Sequence, residues 1–336
     1  STATIDADEA RLYDRQIRLW GVEAQNRMKN SKVLIVGLRG LHTEVCKNIV
    51  LSGINTAYIL DPAPVQVQDL SACFFLTLED VGSNRAEASA PRIQELNPRV
   101  KVIVDKEPLE SKPEEFFQQF NVVCLSDSSL DTMLRVDDIC RKHAIALFSG
   151  FLFGFHGVVY MDHNKHQYKE TKKLKNEEES VEIKTCEMPD WKFVFDSITW
   201  DNREFKRTPK LLFAHQVWLQ YCRQSTTQGS LSMETFIDFA KTEQQRKKVQ
   251  SGFIPAEVLQ EVWNYRGKDL SPVAAIVGGI VAQEIIKVLS GKDEPLGNTF
   301  VFDGHQSRGM IEKLMPQQTS VSSSSNPKIS VETIEL

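Results

Sequence analysis

KVLIVGLRGLH, residues Lys32 to His42, reads as a strand running into a glycine loop and on into a helix. KVLIV is short, apolar and rich in β-branched residues, the pattern of a strand buried on both faces. Behind the loop, residues 43–52 have helical character and Gly53 is placed to stop them. AYILD (Ala57 to Asp61) then reads as a second strand that closes on a carboxylate. The alternation continues with a helix over 84–95, strands VKVIVD (100–105) and NVVCLS (121–126), a helix over 131–143 and strand AIALFSG (144–150). Strands alternating with helices of about ten residues predict a doubly wound, Rossmann-like parallel sheet of α/β class.

Outward from this block the pattern changes. Ahead of it, residues 1–30 read as an N-terminal helical segment in two pieces, started by Asp6 and Asp8 and broken near Gly21. The Rossmann-like domain spans 31–160, with GVVYMD as one further strand. Residues 161–267 are expected to be a charged loop followed by a mostly helical insertion. NKHQYKETKKLKNEEES (164–180) has almost nothing to bury, whereas LLFAHQVWLQY and METFIDFA carry helical apolar spacing. Residues 268–315 return to the αβ domain. Ser271-Pro272 starts an apolar helix that Gly291 stops, and NTFVFDG with MIEKL forms a closing hairpin. The tail, 316–336, is expected to be disordered.

Composition narrows the classes. The chain has 336 residues, 41% hydrophobic and 25% charged, an ordinary globular balance. A net charge of −5 argues against a general affinity for nucleic acid or for membrane surfaces. Residues 272–289 approach the length of a membrane span, but Gln283, Glu284 and Lys287 interrupt them, so a buried helix is expected. The six cysteines form no C-x-x-C pair, which argues against a zinc site or a disulfide framework. No secretory signal opens the sequence, so cytosol or nucleus is expected.

The loop itself departs from the dinucleotide pattern G-x-G-x-x-G. Gly37 keeps the first glycine, Arg39 takes the second position and His42 the third, and Gly40 is an additional glycine. Asp61 lies where an acid would hold a ribose. Two readings follow: Arg39 itself holds a phosphate, or the pocket has ceased to bind nucleotide productively.

YDRQIRLWG (Tyr13 to Gly21), followed closely by KVLIVGLRGL, resembles the adenylation domains of enzymes that activate ubiquitin-like proteins. SPVAAIVGGIVAQEIIKVL (271–289) and TFVFDG (299–304) resemble the C-terminal part of the same family, so the likeness covers roughly residues 8–160 and 268–314. Within the family, the short insertion favours the SUMO-activating branch and the smaller, regulatory half of its heterodimer, which lacks the catalytic cysteine.

The resemblance implies a reaction, adenylation of a modifier's C-terminal carboxylate by Mg-ATP followed by thioester formation on a cysteine. It also implies that this chain has lost the means. Where active relatives carry an asparagine and an arginine, VQVQDLSACFF (Val65 to Phe75) has neither. Arg85 stands near their lysine. Their magnesium aspartate falls on Ser128, or on Asp127 if the register slips by one, and Met133 replaces their arginine. Cys186 and Cys222 read as structural thiols. No nucleotide or metal is therefore expected to bind productively in this chain. ATP and magnesium belong in the site of a larger partner subunit carrying the catalytic cysteine, and SUMO is engaged through that complex.

The resemblance gives Arg15 the one catalytic role, reaching in trans to the ATP phosphates of the partner's site, a task suited to a forked, permanently charged donor. The residues alone allow it to be a solvated or salt-bridged helix residue beside Asp14. Tyr13, Leu19 and Trp20 are expected to pin the helix to the domain, and Arg18 to be structural.

Other readings are a nicotinamide-dependent oxidoreductase, a homodimeric sulfur-carrier adenylating enzyme, the matching subunit for another modifier, and a scaffold without chemistry. KETKKLK (169–175) reads as a solvated loop or a nuclear import signal, and the implied compartment is the nucleus, with the cytoplasm as alternative. Ile329 and Val331 alternate in a way that would let the tail add as a strand to a modifier.

Overall fold

The computed structural model describes residues 4–173, 179–198, 209–225, 231–249, 252–316 and 332–335. Three short helices open the chain: α1 (Ala7–Leu12), α2 (Asp14–Trp20) and α3 (Val22–Lys29). Asp6 starts the first by a capping box: its side chain accepts from the Asp8 and Glu9 N–H groups, while Glu9 accepts from the Asp6 N–H. The segment breaks at Tyr13 as well as at Gly21, giving three pieces where two were expected.

The alternating block follows as β1 (Lys32–Val36), α4 (Gly40–Leu51), β2 (Thr56–Leu60), α5 (Arg85–Leu96), β3 (Lys101–Asp105), α6 (Glu114–Phe117), β4 (Val122–Ser126), α7 (Leu130–Lys142), β5 (Ala146–Phe153) and β6 (His156–Asp162). After it come β7 (Lys165–Lys173) and β8 (Glu179–Glu187), then α8 (Lys210–Ser225), α9 (Met233–Arg246), α10 (Ala256–Tyr265) and α11 (Ser271–Ser290). The sheet is completed by β9 (Thr299–Asp303), β10 (Arg308–Glu312) and β11 (Glu332–Glu335).

The sheet order is β11-β10-β9-β6-β5-β4-β1-β2-β3. From β3 to β5 every pairing is parallel, and from β5 to β11 every pairing is antiparallel. Strand order reverses between β1 and β4, so the C-terminal ends of these two strands form the crevice where a ligand binds in such folds. One face of the sheet packs on α4 and α11, around Ile35, Val45, Ile49, Val277 and Ile285, all fully buried. The other face packs on α7 and the helical insertion, around Leu34, Val123, Phe213 and Phe236.

The apolar stretch is α11, which by length and composition would cross a membrane but here lies on α4. Its Gly278 permits that: a Cβ there would meet the Glu44 Cβ at 2.6 Å. Ser271 is already inside the helix, with Leu270 at the cap position and no side-chain cap, so the start comes one residue earlier than the Ser-Pro pair suggests.

Two stretches expected to lack structure form strands. In the charged stretch, β7 and β8 pair antiparallel, Lys165 with Glu187 and Glu170 with Glu182 in register. Cross-strand charges stabilise the ribbon, with Lys165–Glu187 at 2.9 Å and Lys184–Glu170 at 2.6 Å. Lys169 ties it to α3 through Glu23 at 2.7 Å. The remainder of KETKKLK, Leu174 and Lys175, lies outside the described residues. In the tail, β11 adds antiparallel to β10, with Gly309 opposite Ile334, satisfying backbone groups of an otherwise open edge. The tail thus pairs with its own sheet; Ile329 and Val331 lie outside the described residues.

Five histidines, His42, His156, His163, His166 and His215, are buried. Burial pulls His215 down to about 3, and its ring packs between Phe151 and Phe153 with Nδ1 3.1 Å from the Tyr160 hydroxyl. The unfolded chain takes up this proton near pH 6.5 and the folded chain does not. Stability contributed by the neutral ring is therefore complete above pH 6.5 and is lost as pH falls toward 3. His215→Phe is expected to reduce the pH slope of unfolding free energy between pH 4.5 and 6 by about one proton. Urea titrations across that range measure it, and an unchanged slope would contradict the assignment.

Candidate functional site

The crevice has a volume of about 270 Å³ and is lined by Val36, Gly37, Leu60, Pro62 and the Ser126–Ser129 loop among others. That lies just below the usual range for ligand sites. In a working site of this class the loop N–H groups at the start of the helix face the phosphates. Here they face carboxylates. The Leu38 N–H donates to Asp61 Oδ2 at 2.7 Å, and the Gly40 N–H donates to Asp269 Oδ2 at 3.1 Å. Gly40, the additional glycine, is required by this packing: a Cβ would meet the Ala72 Cβ at 2.7 Å and the Asp269 Cβ at 3.1 Å.

Arg39 is consumed in the same way. Its guanidinium donates to Asp127 Oδ2 at 2.7 Å and to the Gly267 carbonyl at 2.6 Å, and lies 3.4 Å from Asp269 Oδ1. Of the two readings of this residue, the structure shows it closing the loop onto the segment that follows α10. His42 locks the loop from below. It is buried, its Nδ1–H donates to the Gly37 carbonyl at 2.9 Å, and burial lowers its pKa to about 4, so the ring is neutral.

Asp61 is equally committed. It accepts from Leu38, from the Ala63 N–H at 3.0 Å and from Arg85 Nε at 2.7 Å, which leaves little for a ribose. Arg85, at the position of the family's lysine, points inward and forms a second pair with Asp69 at 3.0 Å. Ser128 borders the crevice without a carboxylate, Asp127 is bound to Arg39, and Met133 is buried in the core. The phosphate donors are taken by side chains and the cations by carboxylates, so these residues do not fit Mg-ATP.

The cysteines offer no activated nucleophile. Cys46, Cys73, Cys124 and Cys140 are buried, and burial pushes the Cys222 thiol up to about 11 and raises Cys186.

Arg15 lies elsewhere. Helix α2 buries none of its residues, and Arg15 is exposed. Asp14, its neighbour, pairs instead with Arg18 at 3.0 Å, and Arg15 has no ion pair among the described residues. Tyr13 pins the segment, accepting from Asn97 Nδ2 at 2.8 Å with its ring against Gly53, and Trp20 donates to Gln25 at 3.1 Å. Leu19 does not pin it: the side chain is 70% exposed, and Leu12 and Val22 are also exposed. Gln16 holds α2 to the Leu51 carbonyl, at the far end of α4 from the loop. The 12 residues of α4 place Arg15 on the order of 18 Å from its own crevice.

The doubly wound sheet, with its crevice at the switch point, defines a nucleotide-binding fold of adenylating type whose phosphate loop is closed by its own side chains. The chain belongs to the ThiF family, whose model matches residues 13–323. It is similar to SUMO-activating enzyme subunit 1 of Homo sapiens, 39% identical over 93% of this chain and 97% of the relative. The same subunit of Rattus norvegicus is 38% identical over 93% and 96%, and that of Danio rerio 34% over 92% and 95%. This likeness runs through the middle of the chain, beyond the motif-bearing segments.

Asp269 and Asp69 carry no signal of their role in the sequence. Asp269 lies 229 residues from Gly40, and no local pattern signals a carboxylate that will fold onto a distant loop. Asp69 lies within the Val65–Phe75 segment, whose pattern differs from the family by the missing asparagine and arginine and gives no sign of a buried carboxylate.

Proposed function

We propose that this chain is the regulatory half of a heterodimeric SUMO-activating enzyme and supports ATP-dependent adenylation of SUMO by presenting Arg15 to ATP in the partner's site. The observation that carries this is the position of Arg15: exposed, without an ion pair among the described residues, on a helix that buries nothing, and remote from its own crevice. The exposed Leu12, Leu19 and Val22 beside it suit a surface that a larger subunit covers. ATP supplies the adenylyl group and magnesium neutralises its phosphates, both in the partner, which also carries the cysteine that takes the thioester. SUMO is engaged through the complex, nucleic acid and membrane have no role, and the compartment is the nucleus, with the cytoplasm as alternative.

The test is SUMO-dependent ATP–pyrophosphate exchange. The purified single chain is expected to show none above background, and adding the catalytic subunit is expected to restore it. Robust exchange by the single chain would overturn the reading.

A further inference from the structure

Away from the crevice and from α2, three side chains from distant segments converge. His156 opens β6, Glu261 lies on α10, and His305 sits in the turn between β9 and β10. His156 Nε2 is 2.8 Å from Glu261 Oε2, and His305 Nε2 is 3.2 Å from Glu261 Oε1. One donor atom from each residue lies within 4.8 Å of the others.

The second observation is an orphan. The His156 side chain is 4% exposed, and its Nδ1 is buried with no hydrogen bond. That nitrogen is 3.6 Å from Asp303 Oδ1, which already accepts from the His305 and Gln306 N–H groups. A neutral imidazole has one donor and one acceptor nitrogen. If Nε2 carries the proton toward Glu261, Nδ1 turns a lone pair toward a carboxylate. A cation at Nε2 removes the conflict: Nε2 becomes a ligand, and Nδ1–H donates to Asp303. This is the carboxylate–histidine–metal arrangement that fixes the tautomer of ligating histidines.

We propose that His156, Glu261 and His305 bind one divalent transition-metal ion of zinc type, with Asp303 orienting His156. Two imidazoles and one carboxylate suit zinc over the oxygen-seeking magnesium and calcium. Glu261 and His305 are 32% and 50% exposed, which leaves an entry path and an open coordination position. The ion would clamp α10 onto β6 and the β9–β10 turn, and so hold the segment after α10 that carries Gly267 and Asp269 to Arg39.

The test uses the full-length chain, stripped with chelator and dialysed against zinc. One equivalent retained is the expected result, with affinity lowered at least tenfold by His305→Ala and by Glu261→Gln, and roughly tenfold by Asp303→Asn. Cobalt in place of zinc is expected to give d–d bands without thiolate charge transfer, separating this site from the six cysteines. His305 is half exposed, so His305→Ala is expected to retain the native circular dichroism. No retained zinc, retention unchanged in both ligand variants, or a thiolate band for the bound ion would each overturn the proposal.

Discussion

Arg15→Ala, in the assembled enzyme, is expected to lower SUMO-dependent ATP–pyrophosphate exchange by about 10²- to 10³-fold while the two subunits remain together. The magnitude follows from what one preorganised cation contributes to charge developing on phosphate, for which removal of a single donor costs roughly 10²–10³ and of an arginine finger up to about 10⁵. The subunits stay together because Arg15 makes no ion pair among the described residues and the apolar neighbours Leu12, Leu19 and Val22 are untouched. Arg15→Lys keeps the charge and loses the fork, so it is expected to recover only part of the rate. Gel filtration with exchange kinetics on one preparation checks both halves. Unchanged exchange in an intact heterodimer would leave the chain a scaffold without chemistry.

Arg85→Ala is expected to cost about 3–5 kcal/mol of folding stability, because it strands two buried carboxylates. The Arg85 side chain is 9% exposed, and its partners Asp61 and Asp69 are 2% and 5% exposed. Asp61 also holds the Leu38 and Ala63 N–H groups, so the loop after β1 loosens together with the Val65–Phe75 segment. Urea unfolding of the single chain measures the loss as a lower midpoint at unchanged slope. A loss below about 1 kcal/mol, the range of exposed pairs, would mean that water reaches the pair and the crevice is open.

How much of this could be read from the sequence depends on the range of the interaction concerned. β1, β2, β4 and α11 are continuous apolar runs with clear stops, and the parallel order follows from their alternation with helices. The departures in the glycine loop were also visible, because Arg39 and His42 stand at positions that glycine would otherwise hold. What they do was not. Whether Arg39 faces a phosphate or a carboxylate depends on Asp127 and Asp269, which the chain brings back from 88 and 230 residues away. The β7–β8 ribbon misled because its strands are stabilised by cross-strand charges, with little of the apolar alternation that marks a strand. Leu19 misled in the opposite direction: its size suggested burial, and the side chain is 70% exposed.

The proposed function requires that the chain has given up its own nucleotide site. The loop donors are filled by Asp61 and Asp269, and Arg39 and Arg85 are paired with carboxyl groups. Calorimetric titration of Mg-ATP into the purified single chain tests this most directly. No saturable heat at millimolar nucleotide is the predicted result, whereas one-to-one saturable binding would contradict the account.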